Sequence, residues 1–212
     1  MRKNLLVAIA VTVLTVSLHS VSQAQFTPID QPNPEYIAAT TKLPTPLTFP
    51  ASVVTDGSFS VTLSSPADYD RIAPGGGWAS WGTPPWVEPT PTHVLYTNTN
   101  NLTMTFSRPV NIFGFEAEPN QYEAFPMTAY FYNGAALVGS VQRVVDGYGG
   151  ARLFAAQGAT FDHVVFSSSD TFAIGNLRYG GEIPPVPEAS TMASFGSMIG
   201  FGLLWLRRRL VS

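Results

Sequence analysis

Met127-Thr128-Ala129-Tyr130-Phe131-Tyr132, then Asn133-Gly134, then the run from Ala136 to Val145: two β-prone segments meet at a dipeptide suited to a tight hairpin. A two-residue turn of type I′ needs positive φ at both central positions, and Asn-Gly supplies them at little steric cost. Upstream, Leu102, Met104 and Phe106 alternate with Thr103, Thr105 and Ser107. That is the period of a strand with one face in a core and the other in water. Comparable short runs occupy Ser58 to Leu63, His93 to Thr97, Val110 to Glu116, His163 to Ser167 and Phe172 to Tyr179, separated by Gly, Pro, Asn and Asp. Strands at this spacing predict an all-β domain over residues 51–181, an antiparallel β-sandwich of jelly-roll-like form. Nothing of helical period and adequate length lies between the two ends of the chain, and there is no internal repeat. Residues 25–50 carry Pro28, Pro32, Pro34, Pro44, Pro46 and Pro50. Such density predicts an extended lead-in with room for one edge strand.

Composition bounds the partners. Between Gln25 and Pro187 the only cations besides histidine are Lys42, Arg71, Arg108, Arg143, Arg152 and Arg178, against more than a dozen carboxylates. An acidic domain without a basic run excludes nucleic acid and anionic lipid as expected partners. Cysteine is absent from the 212 residues, so neither disulfides nor thiolate metal sites are available. Low charge with many Thr, Ser, Asn, Gly and aromatic residues suits an exported β protein better than a disordered one.

Both ends carry addresses. Arg2 and Lys3 precede an apolar run from Leu5 to Leu18, and Ser22-Gln23-Ala24 places small residues at −3 and −1 of a cleavage site. This predicts a secretory signal helix over 1–24, cut after Ala24, and implies the secretion machinery as a partner. A permanent first transmembrane helix is the alternative. At the other end, residues 182–212 contain Val186-Pro187-Glu188-Ala189-Ser190-Thr191, an apolar Gly-rich helix over 192–206, and Arg207-Arg208-Arg209. The uncharged stretch from Ala189 to Leu206 spans roughly 27 Å as a helix, close to a hydrocarbon core of about 30 Å. Positive flanks resist translocation, so the arginines are expected on the cytoplasmic side of the inner membrane and the body outside it. Gly196 and Gly200 form a small-xxx-small pair of the kind that lets helices approach, although glycine is also common in membrane segments generally.

This tail resembles the PEP-CTERM sorting signal of Gram-negative bacteria, in which a V-P-E-P-[SGT]-T motif leads into one hydrophobic helix and a terminal basic cluster. Val186, Pro187, Glu188, Ser190, Thr191 and Arg207 to Arg209 match; Ala189 departs, standing where the second proline is usual. The resemblance implies an exosortase as processing partner, cutting near Pro187-Glu188. The body is also similar to a module often found ahead of such tails. Phe106 to Val110, Phe113 to Glu116, Phe131 to Gly134, Leu137 to Gly139, Phe161 to Phe166 and Phe172 to Gly180 carry that likeness. Such modules are similar in strand pattern to carbohydrate-binding β-sandwiches. Their final strand commonly reads I-D-N-L, whose aspartate can ligate calcium in related sandwiches; here that position is Gly175. No metal and no cofactor is therefore expected.

Few residues could carry chemistry. His93 and His163 are not in a ligand-spaced pair, and Ser167 to Asp170 reads as a turn. Glu116 and Glu118 share one face of a strand, with Asn120 and Glu123 beyond. They read either as a solvated strand end or weak cation site, or as the two carboxylates of a glycosidase. Gly75 to Gly77 lacks the lysine of a phosphate loop and reads as a hinge. Trp78, Trp81 and Trp86, in a loop stiffened by Pro84 and Pro85, are the candidate glycan-binding residues, with Asp68, Tyr69 and Asp70 nearby. Indole faces suit pyranose C–H groups, whereas the competing reading has the tryptophans cap the sandwich. The sequence thus points to a non-catalytic, exported surface or extracellular-matrix protein, with polysaccharide as candidate ligand. The alternative is a secreted carbohydrate-active enzyme.

Overall fold

A computed structural model describes residues 25–72, 77–89, 91 and 93–181. The signal segment with Ser22 and Ala24, the tail with Val186 to Ala189 and Arg207 to Arg209, and Gly75 and Gly76 lie outside the described residues. Among the described residues no helix is long and apolar enough to cross a membrane.

The described residues are all-β apart from one short helix. In order it forms β1 (Thr27–Ile29), α1 (Pro34–Ala39), β2 (Thr41–Lys42), β3 (Ala51–Thr55), β4 (Ser60–Arg71), β5 (His93–Thr97) and β6 (Asn101–Pro119). There follow β7 (Ala124–Asn133), β8 (Ala136–Asp146), β9 (Arg152–Ser168) and β10 (Phe172–Gly180). The strands pair antiparallel in one ten-stranded sheet, ordered β2-β10-β5-β4-β6-β9-β7-β8, with β1 on β9 and β3 on β4. Because β10 also pairs with β6, the circuit β10–β5–β4–β6–β10 closes and the sheet is barrel-like.

The expected hairpin joins β7 and β8, with its turn one residue later than expected. Asn133 pairs with Ala136, and positive φ occurs only at Gly134 (56°), the pattern of a type II′ turn rather than type I′. The two runs read on either side of Arg108-Pro109 are one strand, β6, whose register shifts on both sides of Val110. Those shifts exchange its faces. Leu102, Met104 and Phe106 enter the main core from the first half, and Phe113, Phe115 and Ala117 from the second. Phe115 packs edge-on against Phe166 at 4.9 Å, and Phe166 against Phe172 at 4.7 Å, in the middle of that core.

The lead-in is more ordered than its prolines suggest. Asn33 caps α1 by accepting from the Tyr36 amide at 2.8 Å, and Pro34 begins the helix where its missing N–H costs nothing. β1 and β2 then bind β9 and β10, so residues 27–42 belong to the domain. Their packing buries Ile29 and Tyr36 against Leu153 and Ala155, outside the barrel wall.

Candidate functional site

The second half of β6 points Glu116 and Glu118 away from the main core, on one face as period two requires. That face is not in water. The segment between β4 and β5 lies over it, and both side chains are fully buried, which corrects the reading of a solvated strand end. Trp81 Nε1 and Asn176 Nδ2 donate to Glu116 Oε2 at 2.8 and 2.7 Å, and the Glu88 amide donates to Oε1. Trp78 Nε1 donates to Glu118 Oε2 at 2.9 Å, while Ser80 Oγ and the Gly149 amide donate to Oε1 at 3.2 and 2.8 Å. Burial nevertheless dominates the electrostatics. It pushes the Glu116 carboxyl up to about 7 against three hydrogen bonds that pull it down, and it raises Glu118 as well.

Trp78 and Trp81, expected among exposed glycan-binding indoles, are each 5 % exposed and pack with Val87, Val94, Ala151 and Ala173. Their faces are occupied by packing and their N–H groups by the carboxylates, so they cap the sheet. Trp86 differs: it is 43 % exposed, with the Arg152 guanidinium 4.7 Å from its ring centroid. Gly175 pairs with Glu116 in the register of β10 on β6. A Cβ at Gly175 would stand 3.3 Å from Trp81 Cζ2, so the indole fills the space that a side chain there would need.

A second anchor ties this layer down. Arg178 Nε and Nη2 donate to Glu88 Oε1 and Oε2 at 2.6 and 3.0 Å, a bidentate pair in which both residues are buried. Lys42 Nζ lies 3.5 Å from Glu88 Oε2, and Arg178 Nη1 reaches the Thr40 carbonyl at 3.3 Å. Loop, lead-in and final strand therefore meet at one charge cluster. Asn176, at a φ of 49°, sits in the bulge of β10, where the register on β6 shifts between Gly175 and Arg178. Its amide thereby faces Glu116 while Ile174 and Leu177 both keep to the core. Sequence reasoning passed over Glu88, Asn176 and Arg178. One signal was there: a lone arginine inside the otherwise uncharged run Phe172 to Gly180 needs a buried acid as partner.

The remaining candidates are scattered. His163 Nδ1 lies 2.6 Å from Asp162 Oδ1, with its ring stacked on Tyr132 at 4.9 Å, near the β7–β8 hairpin. His93 opens β5 and lines a cavity of about 170 Å³ with Lys42, Leu95 and Asn176. A larger cavity, about 400 Å³, lies between the lead-in and the tryptophan loop, lined by Pro32, Pro34, Ile37, Pro84, Pro85 and Val87 among others. Neither cavity is lined by Glu116 or Glu118. Glu123 and Asn120 are exposed in the β6–β7 loop and Asp68 is exposed on β4, apart from the buried carboxylates; the Tyr69 side chain lies outside the description. A carboxyl titrating near neutrality has the pKa of a general acid. Glu116, however, has no exposed surface, and three donors already occupy its oxygens.

No model of a protein family matches the chain, and no curated protein matches it. Among solved structures it is similar to the enzymatically active domain of tailspike protein 4 of bacteriophage CBA120. The identity is 17 % and the TM-score 0.31, over 58 % of this chain and 19 % of that one. The chain thus spans under a fifth of that protein's length, and so loose a likeness carries no argument about fold or function.

Proposed function

We propose that this chain is an exported, non-catalytic surface or extracellular-matrix protein of a Gram-negative bacterium, sorted through a PEP-CTERM-type tail. The secretion machinery delivers it, the helix over 192–206 holds it in the inner membrane, and an exosortase removes the tail near Pro187-Glu188. The β domain, read as an antiparallel jelly-roll-like β-sandwich, is then presented to polysaccharide outside the cell. One observation carries this reading. A Pro-Glu motif, an uncharged apolar stretch and three arginines follow one another in that order within residues 186–209. Intact mass of the mature protein from its native host tests it. The expected species lacks residues 1–24 and everything from Met192 onward. A mature species that keeps Arg207 to Arg209 makes the helix a permanent anchor and sinks the sorting proposal.

The alternative, a carbohydrate-active enzyme built on Glu116 or Glu118, is disfavoured by their burial and by the three donors on each. Glycan hydrolysis by the purified protein that disappears in Glu116→Gln reverses this ranking.

A further inference from the structure

The two most exposed aromatic side chains among the described residues stand side by side. Tyr122, in the β6–β7 loop, is 63 % exposed, and Tyr148, in the β8–β9 turn, is 75 % exposed. Their ring centroids are 5.6 Å apart and the rings meet edge to face at 71°. They come from different loops, so the pairing is made by the fold and not by sequence proximity.

Both loops are braced by backbone hydrogen bonds. The Gln121 amide donates to Asp170 Oδ2 at 2.8 Å, and the Gly147 amide donates to the Glu123 carbonyl at 3.0 Å. The loops also touch, since a Cβ at Gly147 would lie 1.8 Å from the Gln121 carbonyl oxygen. On the far side, Glu118 grips the Gly149 amide at 2.8 Å. The loop backbones that carry the rings are therefore braced while the rings stay exposed. Ordering those loops again on binding costs little, which is what preorganisation provides.

We infer that the Tyr122–Tyr148 pair is a stacking platform for a neutral glycan chain. An edge-to-face contact leaves ring faces open to solvent, and pyranose C–H groups pack on such faces. The flanking exposed residues, Asn120, Gln121, Glu123 and Asp146, offer amides and carboxylates for sugar hydroxyls. Neither loop contains lysine or arginine, so a phosphorylated or strongly anionic polymer finds no countercharge there. The site differs from the tryptophan loop, whose two buried indoles serve the carboxylates. The inference rests on the polysaccharide half of the reading above and is independent of the sorting half.

Affinity electrophoresis of the full chain, in gels holding hydroxyethyl cellulose, mixed-linkage β-glucan, xylan or galactomannan, tests it. We expect retardation by at least one of these. Tyr122→Ala or Tyr148→Ala should weaken it about tenfold each, from the magnitude of stacking on an aromatic ring. Tyr148→Phe should keep most of it, and Tyr132→Ala, at the opposite hairpin, all of it. Melting temperatures of the Tyr122 and Tyr148 variants should match wild type, because those two rings are exposed. Retardation that survives in the double alanine variant overturns this site and leaves polysaccharide association standing. Wild type that passes all four gels unretarded overturns the platform and the polysaccharide reading together, with tail processing judged separately by mass. A double variant that converts a dimer to a monomer in sedimentation assigns the rings to a second copy of this chain and also overturns the inference.

Discussion

The two halves of β6 are made of the same strand and live in different surroundings. From Asn101 to Ser107 apolar side chains face the core and Thr105 and Ser107 stand in water, so each residue's chemistry announces its environment. From Phe113 to Pro119 every side chain is buried, Glu116 and Glu118 included. A carboxylate on the face opposite the core is solvent-facing only if nothing is laid over that face. Here a segment from roughly thirty residues earlier covers it and supplies two donors to each carboxyl, with Asn176 and the Gly149 amide adding a third. The covered half therefore packs on both faces and must also keep its buried polar groups satisfied, which is costly to break, whereas the open half packs on one side only.

The sharpest way to break that contrast is at the charge cluster over the covered half. Arg178→Ala leaves Glu88 buried beside an incomplete partner set, and urea titration should show a loss of about 3–5 kcal/mol. A loss under about 1 kcal/mol would mean that water readily reaches Glu88. Replacing both residues with leucine should recover much of the loss, since the pair's attraction largely offsets its desolvation.

A smaller effect is expected from Trp81→Phe, which keeps an aromatic filler and removes the indole N–H from Glu116. The loss should be about 1–3 kcal/mol, that of one donor missing from a buried group. If it is nil, the hydrogen bond at Glu116 is dispensable and the loop is held by packing alone.

The pH dependence sharpens the same point. The Glu116 carboxyl is raised from an ordinary value of 4.5 to about 7, so the folded protein holds this proton more tightly than the unfolded chain. The stabilisation is complete below pH 4.5 and is lost as pH rises through about 7. Melting temperature should accordingly fall between pH 5 and pH 8, and Glu116→Gln should flatten that slope. An unchanged slope in the variant would put the titration elsewhere. On the open half, by contrast, Thr105→Val should change stability by no more than about 0.5 kcal/mol at any pH in that range.

The contrast also explains what could be read in advance. β5, the first half of β6, β7, β8 and the last third of β9 alternate or carry turn residues at their ends, and each is where its pattern placed it. The first part of β9 gave no such signal. Leu153, Phe154, Ala155 and Ala156 are all buried, and a strand covered on both faces has no period. β1, α1 and β2 were hidden for another reason: they hold few residues each and draw their order from β9, β10 and the core behind Tyr36. The site fared likewise. The tryptophan cluster and the paired carboxylates were each visible in sequence, but that one binds the other depends on a loop folding back across some forty positions. Tyr122 and Tyr148 are adjacent only in space, so nothing local could have joined them.

The strand that closes the barrel is also the last one formed from the described chain. β10 fits between β5 and the second half of β6, far from either in sequence, and Arg178 on it completes the cluster with Glu88. Until β10 is in place, the ring stays open. Phe113 and Phe115 would lack their cover, and two strand edges would be free to pair with a neighbouring molecule. Such long-range closure is slow. A chain of this topology gains its closed core in one step at the end, so a truncation ahead of β10 would cost far more than the nine residues it removes.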